Sequence, residues 1–168
     1  ALTHPEYDAK VRTTAAQIYR DVGLLQLDMP VLSQVAQPFS TGRLPDPDEQ
    51  ITVVSYGRGR NDAASIERSC AVLEDYDGVL AMDCSIVPGS SGSPVFAWRR
   101  GQPVVVSVIA ALGFDGAAYG TGIADHISRL LADFDAGRGV YPAVVQRERR
   151  MSANGARSSN GGARFLRP

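Results

Sequence analysis

Residues 89–94, Gly89-Ser90-Ser91-Gly92-Ser93-Pro94, carry the hydroxyl whose surroundings best suit nucleophilic attack. An attacking serine must be exposed on stiff backbone, with N–H groups aimed at the charge that develops on the carbonyl oxygen. Ser91 is the candidate. Gly89, two residues earlier, lacks a Cβ and can turn its N–H inward. Gly92 allows close packing behind the serine, and Pro94 stiffens the exit into the next segment. A flexible Gly/Ser connector would sit in polar surroundings. Here Ile86, Val87 and Pro88 lead in, and Pro94, Val95 and Phe96 lead out, so the turn is clamped between core-bound runs. The nucleophile-elbow pattern G-x-S-x-G is excluded. Ser93 stands where its second glycine is required, and a strand follows where it needs a helix.

The elements that must hold this turn read as short strands. The runs at 17–27, 51–57, 68–74, 78–83, 93–98, 103–112 and 117–123 are rich in β-branched and aromatic residues and bounded by Gly, Pro, Asp and Asn. "EDYDG" and "RRGQP" read as hairpin connections. One segment changes period. In "ADHISRLLADFDAG", Ile127, Leu130, Leu131 and Phe134 fall at helical spacing, with Asp125 the expected N-cap and Gly137 and Gly139 the stop. The fold class expected is therefore all-β, a barrel or sandwich, with a helix late in the chain. Residues 40–50, "STGRLPDPDEQ", read as a linker, which leaves residues 1–39 as a piece too small to hold a core of its own.

Composition adds limits. The 168 residues are 44% hydrophobic and 21% charged, ordinary for a globular protein. No apolar run approaches the length of a membrane-spanning helix, so no membrane partner is expected. No leader pattern opens the sequence, which begins without Met, and any such segment is expected to have preceded Ala1. Net charge is −1, divided into −7 over residues 1–137 and +6 from Arg138 onward. The basic stretch 138–168 is rich in Ser, Gly and Asn and lacks interleaved aromatics. A largely disordered terminus is expected there, with no nucleic-acid partner. Cys70 and Cys84 have no zinc-type spacing. They are either two core thiols or, the sharper reading, one bridge across a hairpin in an oxidising compartment.

"GSSGSPV" (89–95) resembles the G-x-S-G-[GS]-P signature of chymotrypsin/trypsin-like serine peptidases, in a form common among bacterial members. Three other segments agree in family order. "DVGLLQLDMPV" (21–31) resembles the stretch that carries the triad aspartate, "HPEYD" (4–8) the H-P-x-Y that often precedes it, and "VVSYGRG" (53–59) the strand that opens the second barrel. The late helix also has its family counterpart, and together these cover about residues 4–135.

The resemblance implies a trypsin-like double β-barrel with a C-terminal helix, the first barrel incomplete in this chain. Residues 1–39 would be the remainder of that barrel, 40–50 the link, and 51–137 the second barrel with its closing helix. It implies Ser91 as nucleophile, the N–H groups of Gly89 and Ser91 as oxyanion donors, and Asp21 as the carboxylate that orients a histidine. The family's histidine precedes the aspartate by some forty residues, whereas this chain has only His4 and His126. His4 lies in the H-P-x-Y context outside the active site, and His126 follows the serine. The base is therefore expected upstream of Ala1, the alternative being a protease-like binding module without catalysis. Ser90 replaces the acid that pairs with a freed N-terminus in cleavage-activated members, so no such ion-pair switch is expected. Ser85 takes the place at the floor of the specificity pocket, and Ser107 that of the serine lining it, which suggests a neutral or apolar substrate side chain. The resemblance implies a peptide or protein substrate, no metal or organic cofactor, a monomer, and a secreted or periplasmic location.

Overall fold

In β4 (Gln50–Ser55) the side chains of Ile51, Val53 and Ser55 are buried and their neighbours less so, the alternation of a strand with one face on a core. The computed structural model describes residues 1–57 and 62–141. After β1 (Leu2–Thr3), α1 (Ala15–Arg20), β2 (Gly23–Leu24) and β3 (Ser40–Thr41) come β4, β5 (Ser65–Tyr76), β6 (Val79–Met82), β7 (Pro94–Arg99), β8 (Gln102–Leu112), β9 (Ala118–Gly122) and α2 (Ala124–Asp135). Six strands pair in the order β8-β7-β4-β5-β6-β9, and β9 returns to β8, closing a barrel. Each of the six is paired on both sides, and the core fills the barrel: Ile51, Val53, Val72, Leu80, Met82, Val95 and Val106 are 0–2% exposed.

The turns follow the sequence. Asp77-Gly78 and Arg100-Gly101 are two-residue hairpin loops with both residues at positive φ (51° and 91°, 52° and 76°), the geometry that suits right-twisted strands. Register shifts between Ile51/Val53, Val72/Glu74, Val95/Phe96 and Ile109/Ala111 bend the strands so that a small barrel can close. Cys70, on β5, forms a disulfide with Cys84, just past β6, with Cα atoms 4.8 Å apart.

Residues 1–41 are built differently. They contain two-residue strands and a six-residue helix, with no barrel, and Leu25, Leu27, Met29 and Val35 are exposed. The strand expected over 17–27 is corrected. Residues 15–20 are helical because Thr14 caps them, its Oγ1 accepting the Gln17 N–H at 3.3 Å, and because two alanines follow the cap. Only Gly23–Leu24 pairs as a strand, with Leu2–Thr3. The expected linker also contains structure, since Ser40–Thr41 runs parallel to Val104 and Val105 of β8.

α2 starts earlier than expected, since its cap is Ile123 and Asp125 lies inside the first turn. Its inner face is Ile123, His126, Ile127 and Leu130, whereas Leu131 is 49% exposed. At the far end Arg138 pairs with Asp133 at 2.6 Å, and Val140 bridges to Leu2. Residues 138–141 are thus docked, and the rest of the expected basic tail lies outside the described residues. No helix among the described residues is long and apolar enough to cross a membrane.

Candidate active site

The turn that carries Ser91 is fixed at alternate positions. Ser90 N–H donates to the Val87 carbonyl (3.0 Å), Ser93 N–H to that of Ser90 (3.0 Å), and Gly92 N–H to that of Ile109 on β8 (2.7 Å). Ile109 N–H returns a bond to the Ser93 carbonyl at 2.9 Å, so the turn is stitched to the barrel wall. Gly89 (φ 96°) and Gly92 (φ 79°) take left-handed conformations that other residues avoid. Ser91 between them is exposed. Among the described residues, the N–H groups of Gly89 and Ser91 have no partner.

Asp21 ends α1, its N–H bonded to the Ile18 carbonyl at 3.0 Å. The helix is tied to the barrel by the buried Thr121 hydroxyl, which donates to the same carbonyl. The Asp21 carboxyl is half-buried with no hydrogen-bond or charge partner among the described residues, and burial pushes its pKa up. Asp21 and Ser91, seventy residues apart in sequence, line one cavity of about 450 Å³. Its walls are largely apolar, with Leu24, Val108, Ile109, Ile123, Ile127 and Leu130 contributing.

Neither histidine lines that cavity. His4 and His126 are 5% and 3% exposed and meet edge to face, ring centroids 5.1 Å apart, with Tyr19 of α1 against His126 at 4.4 Å. His4 Nδ1 accepts the Glu6 N–H at 3.2 Å, whereas His126 Nε2 is buried without a partner. Burial lowers both pKa values, helped by Arg129 at His4 and by His4 itself at His126. The pair thus joins the N-terminal segment and α1 to α2.

Of the residues expected at the substrate pocket, Ser85 is exposed in the loop before the turn. Ser107 lies on β8, the strand to which the serine turn is bonded. It is fully buried, its hydroxyl unpartnered, and its backbone pairs with Val95 on one side and Gly122 on the other. The register with β7 shifts at Val106, and Val106 and Ser107, successive residues of β8, are both buried. Sequence reasoning also missed Gly57, which packs directly on the turn. It missed the histidine pair as well, although His126 falls three residues after Ile123 on the apolar face of α2. Among the described residues no group of three or more His, Cys, Asp or Glu is arranged to hold a metal ion.

A closed six-stranded barrel with a closing helix, bearing a serine turn and an aspartate on a common cavity, has the fold of a trypsin-like peptidase barrel. The sequence profile of the trypsin-like peptidase domain matches residues 3–106, and the chain belongs to that family. Among solved structures it is similar to Rv3671c from Mycobacterium tuberculosis H37Rv in the inactive form of a serine-to-alanine mutant. The two share 19% identity with a TM-score of 0.45, over 62% of this chain and 56% of that one. A cysteine-to-alanine mutant of tobacco etch virus protease shows 19% identity and a TM-score of 0.49, covering 67% and 48% of the two chains. The catalytically active tobacco etch virus protease complexed with product gives 20% and 0.48, covering 65% and 46%. The chain spans about half the length of these structures. No curated protein matches it.

Proposed function

We propose that this chain is the larger part of a serine endopeptidase that hydrolyses peptide bonds through a Ser-His-Asp acyl-enzyme, the histidine lying upstream of Ala1. The observation that carries the reading is that Asp21 and Ser91 line one cavity, Ser91 in a turn whose Gly89 and Ser91 N–H groups have no partner among the described residues. Ser91 Oγ attacks the scissile carbonyl carbon and gives its proton to the imidazole, whose charge Asp21 offsets. The carbonyl oxygen, now an anion, accepts from the N–H groups of Gly89 and Ser91, each such donor contributing about 3–4 kcal/mol to the transition state. The imidazolium then protonates the leaving amine, and water releases the acyl group by the same route in reverse. The largely apolar walls around the cavity favour a peptide with neutral or apolar side chains next to the cleaved bond, and Ser85, a neutral exposed residue, is the proposed floor of its pocket. The Cys70–Cys84 bridge favours a secreted or periplasmic protein.

A fluorophosphonate probe offered to the full-length gene product tests this. Ser91 is expected to be labelled, and Ser91→Ala to abolish labelling. Asp21→Asn is expected to slow it by about 10⁴-fold, as loss of the orienting carboxylate does in such triads. The second reading, a binding module without catalysis, draws on the exclusion of both histidines from the cavity. A full-length product that binds peptides but never reacts with the probe would establish it and remove the peptidase.

A further inference from the structure

We infer that Ser90 is a positioning residue: its buried hydroxyl, pressed against the bare Cα of Gly57, latches the turn that presents the N–H groups of Gly89 and Ser91. The catalytic consequence rests on the peptidase reading, whereas the latch itself rests on geometry alone. Ser90 is 1% exposed and fastens the turn three ways. Its Oγ accepts the Val87 N–H at 3.4 Å, its N–H donates to the Val87 carbonyl at 3.0 Å, and its carbonyl accepts the Ser93 N–H at 3.0 Å. These bonds tie positions 87, 90 and 93 and leave the intervening amides of 89 and 91 unused.

Gly57, two residues past β4, supplies the backing. A Cβ on it would lie 2.3 Å from Val87 Cγ2, 2.9 Å from Ser90 Oγ and 3.4 Å from the Pro88 carbonyl oxygen. A methyl group there has to displace Val87 or swing the Ser90 hydroxyl off the Val87 N–H. Glycine lets the backbone after β4 lie directly on the turn. The arrangement is neutral throughout, and a hydroxyl in a fully buried site needs only its local bonds, whereas a carboxylate would need a cation. The turn therefore holds its shape without an ion pair to a new N-terminus.

Donors to an oxyanion act on the transition state, so a loosened turn lowers kcat and leaves KM in place. In the full-length gene product, Ser90→Ala and Gly57→Ala are each expected to lower kcat on a peptide ester about tenfold, the weight of one hydrogen bond. KM should stay within about twofold of its starting value. A readout independent of catalysis uses the 168-residue chain. In Ser90→Ala, amide exchange at Val87 should rise about tenfold, the resonances of Gly89 and Ser91 should shift, and those of β4 and β6 should stay. In Gly57→Ala the resonances of residues 87–91 should shift together. Unchanged exchange at Val87, or a lower thermal midpoint with wild-type kcat in both variants, overturns the latch and leaves Ser90 as packing. If the unmodified product neither turns over nor reacts with a fluorophosphonate, the peptidase reading fails, and exchange at Val87 decides the latch by itself.

Discussion

Leu80 in the barrel is 0% exposed and Leu27 in the N-terminal stretch is 63% exposed, although each sits in a run of apolar residues. The difference is what the neighbouring backbone does. Leu80 lies on β6, paired on both edges by β5 and β9, and faces a core that six strands enclose. Leu27 follows a two-residue strand that pairs only with Leu2–Thr3. Apolar residues are buried where strands or helices enclose them, as Leu2 and Ile18 are in the same N-terminal stretch, and residues 25–39 have no such enclosure. The candidate site straddles this divide, with Ser91 stitched to the barrel and Asp21 on the lighter N-terminal segment.

The sharpest way to break the comparison is to cut the same side chain in both places. Leu80→Ala is expected to destabilise by about 2–5 kcal/mol through lost transfer energy and a cavity, and Leu27→Ala by less than about 0.5 kcal/mol. Urea midpoints of the two variants check this, and equal losses would show that residues 25–39 are buried in solution. Next in size is the bridge. Replacing Cys70 and Cys84 together by alanine is expected to cost about 3 kcal/mol, since the bond closes a loop in the unfolded chain. The loss belongs to the barrel, so proteolysis within residues 1–24 should proceed at the unmodified rate.

The smallest effect lies at the joint between the two regions. His4 faces Glu6, Arg20, Arg129 and Asp133, and His126 faces His4, Asp125, Arg129 and the Tyr19 backbone. Both folded pKa values lie below the ordinary 6.5, burial first, so below 6.5 the unfolded chain takes up protons that the folded chain refuses. Stability from the neutral pair is complete above 6.5 and lost as pH falls through the lowered folded values. His126→Gln should flatten the fall in stability as pH drops below about 6.5, the ordinary histidine value. An unchanged slope would place its source elsewhere.

Much of this was legible in the sequence because it depended on local rules. Strands β4 to β9 fall close to the runs chosen by β-branched content, and the Asp-Gly and Arg-Gly loops sit where hairpin chemistry puts them. The serine turn could be read from glycine spacing and its apolar flanks. What failed depended on competition or on distance. The Thr14 cap outweighed Ile18 and Tyr19, whose types suit a strand, and made a helix of residues 15–20. The register shift between β7 and β8 that leaves Val106 and Ser107 both buried is not visible in the spacing of either strand alone. Gly57 and Ser90 meet across more than thirty residues of chain, and a glycine that is needed for closeness looks the same in sequence as one that is not.

Tyr141 donates its N–H to the Ala1 carbonyl at 2.8 Å, and the Ala1 amine reaches the Tyr141 carbonyl at 3.4 Å. The folded body is thus almost a ring, its first and last described residues side by side on the surface. A peptide tether of a few residues would complete that ring without bending either end, and would remove from the denatured chain the freedom of its longest possible loop. Anything joined ahead of Ala1 leaves the surface beside Tyr141.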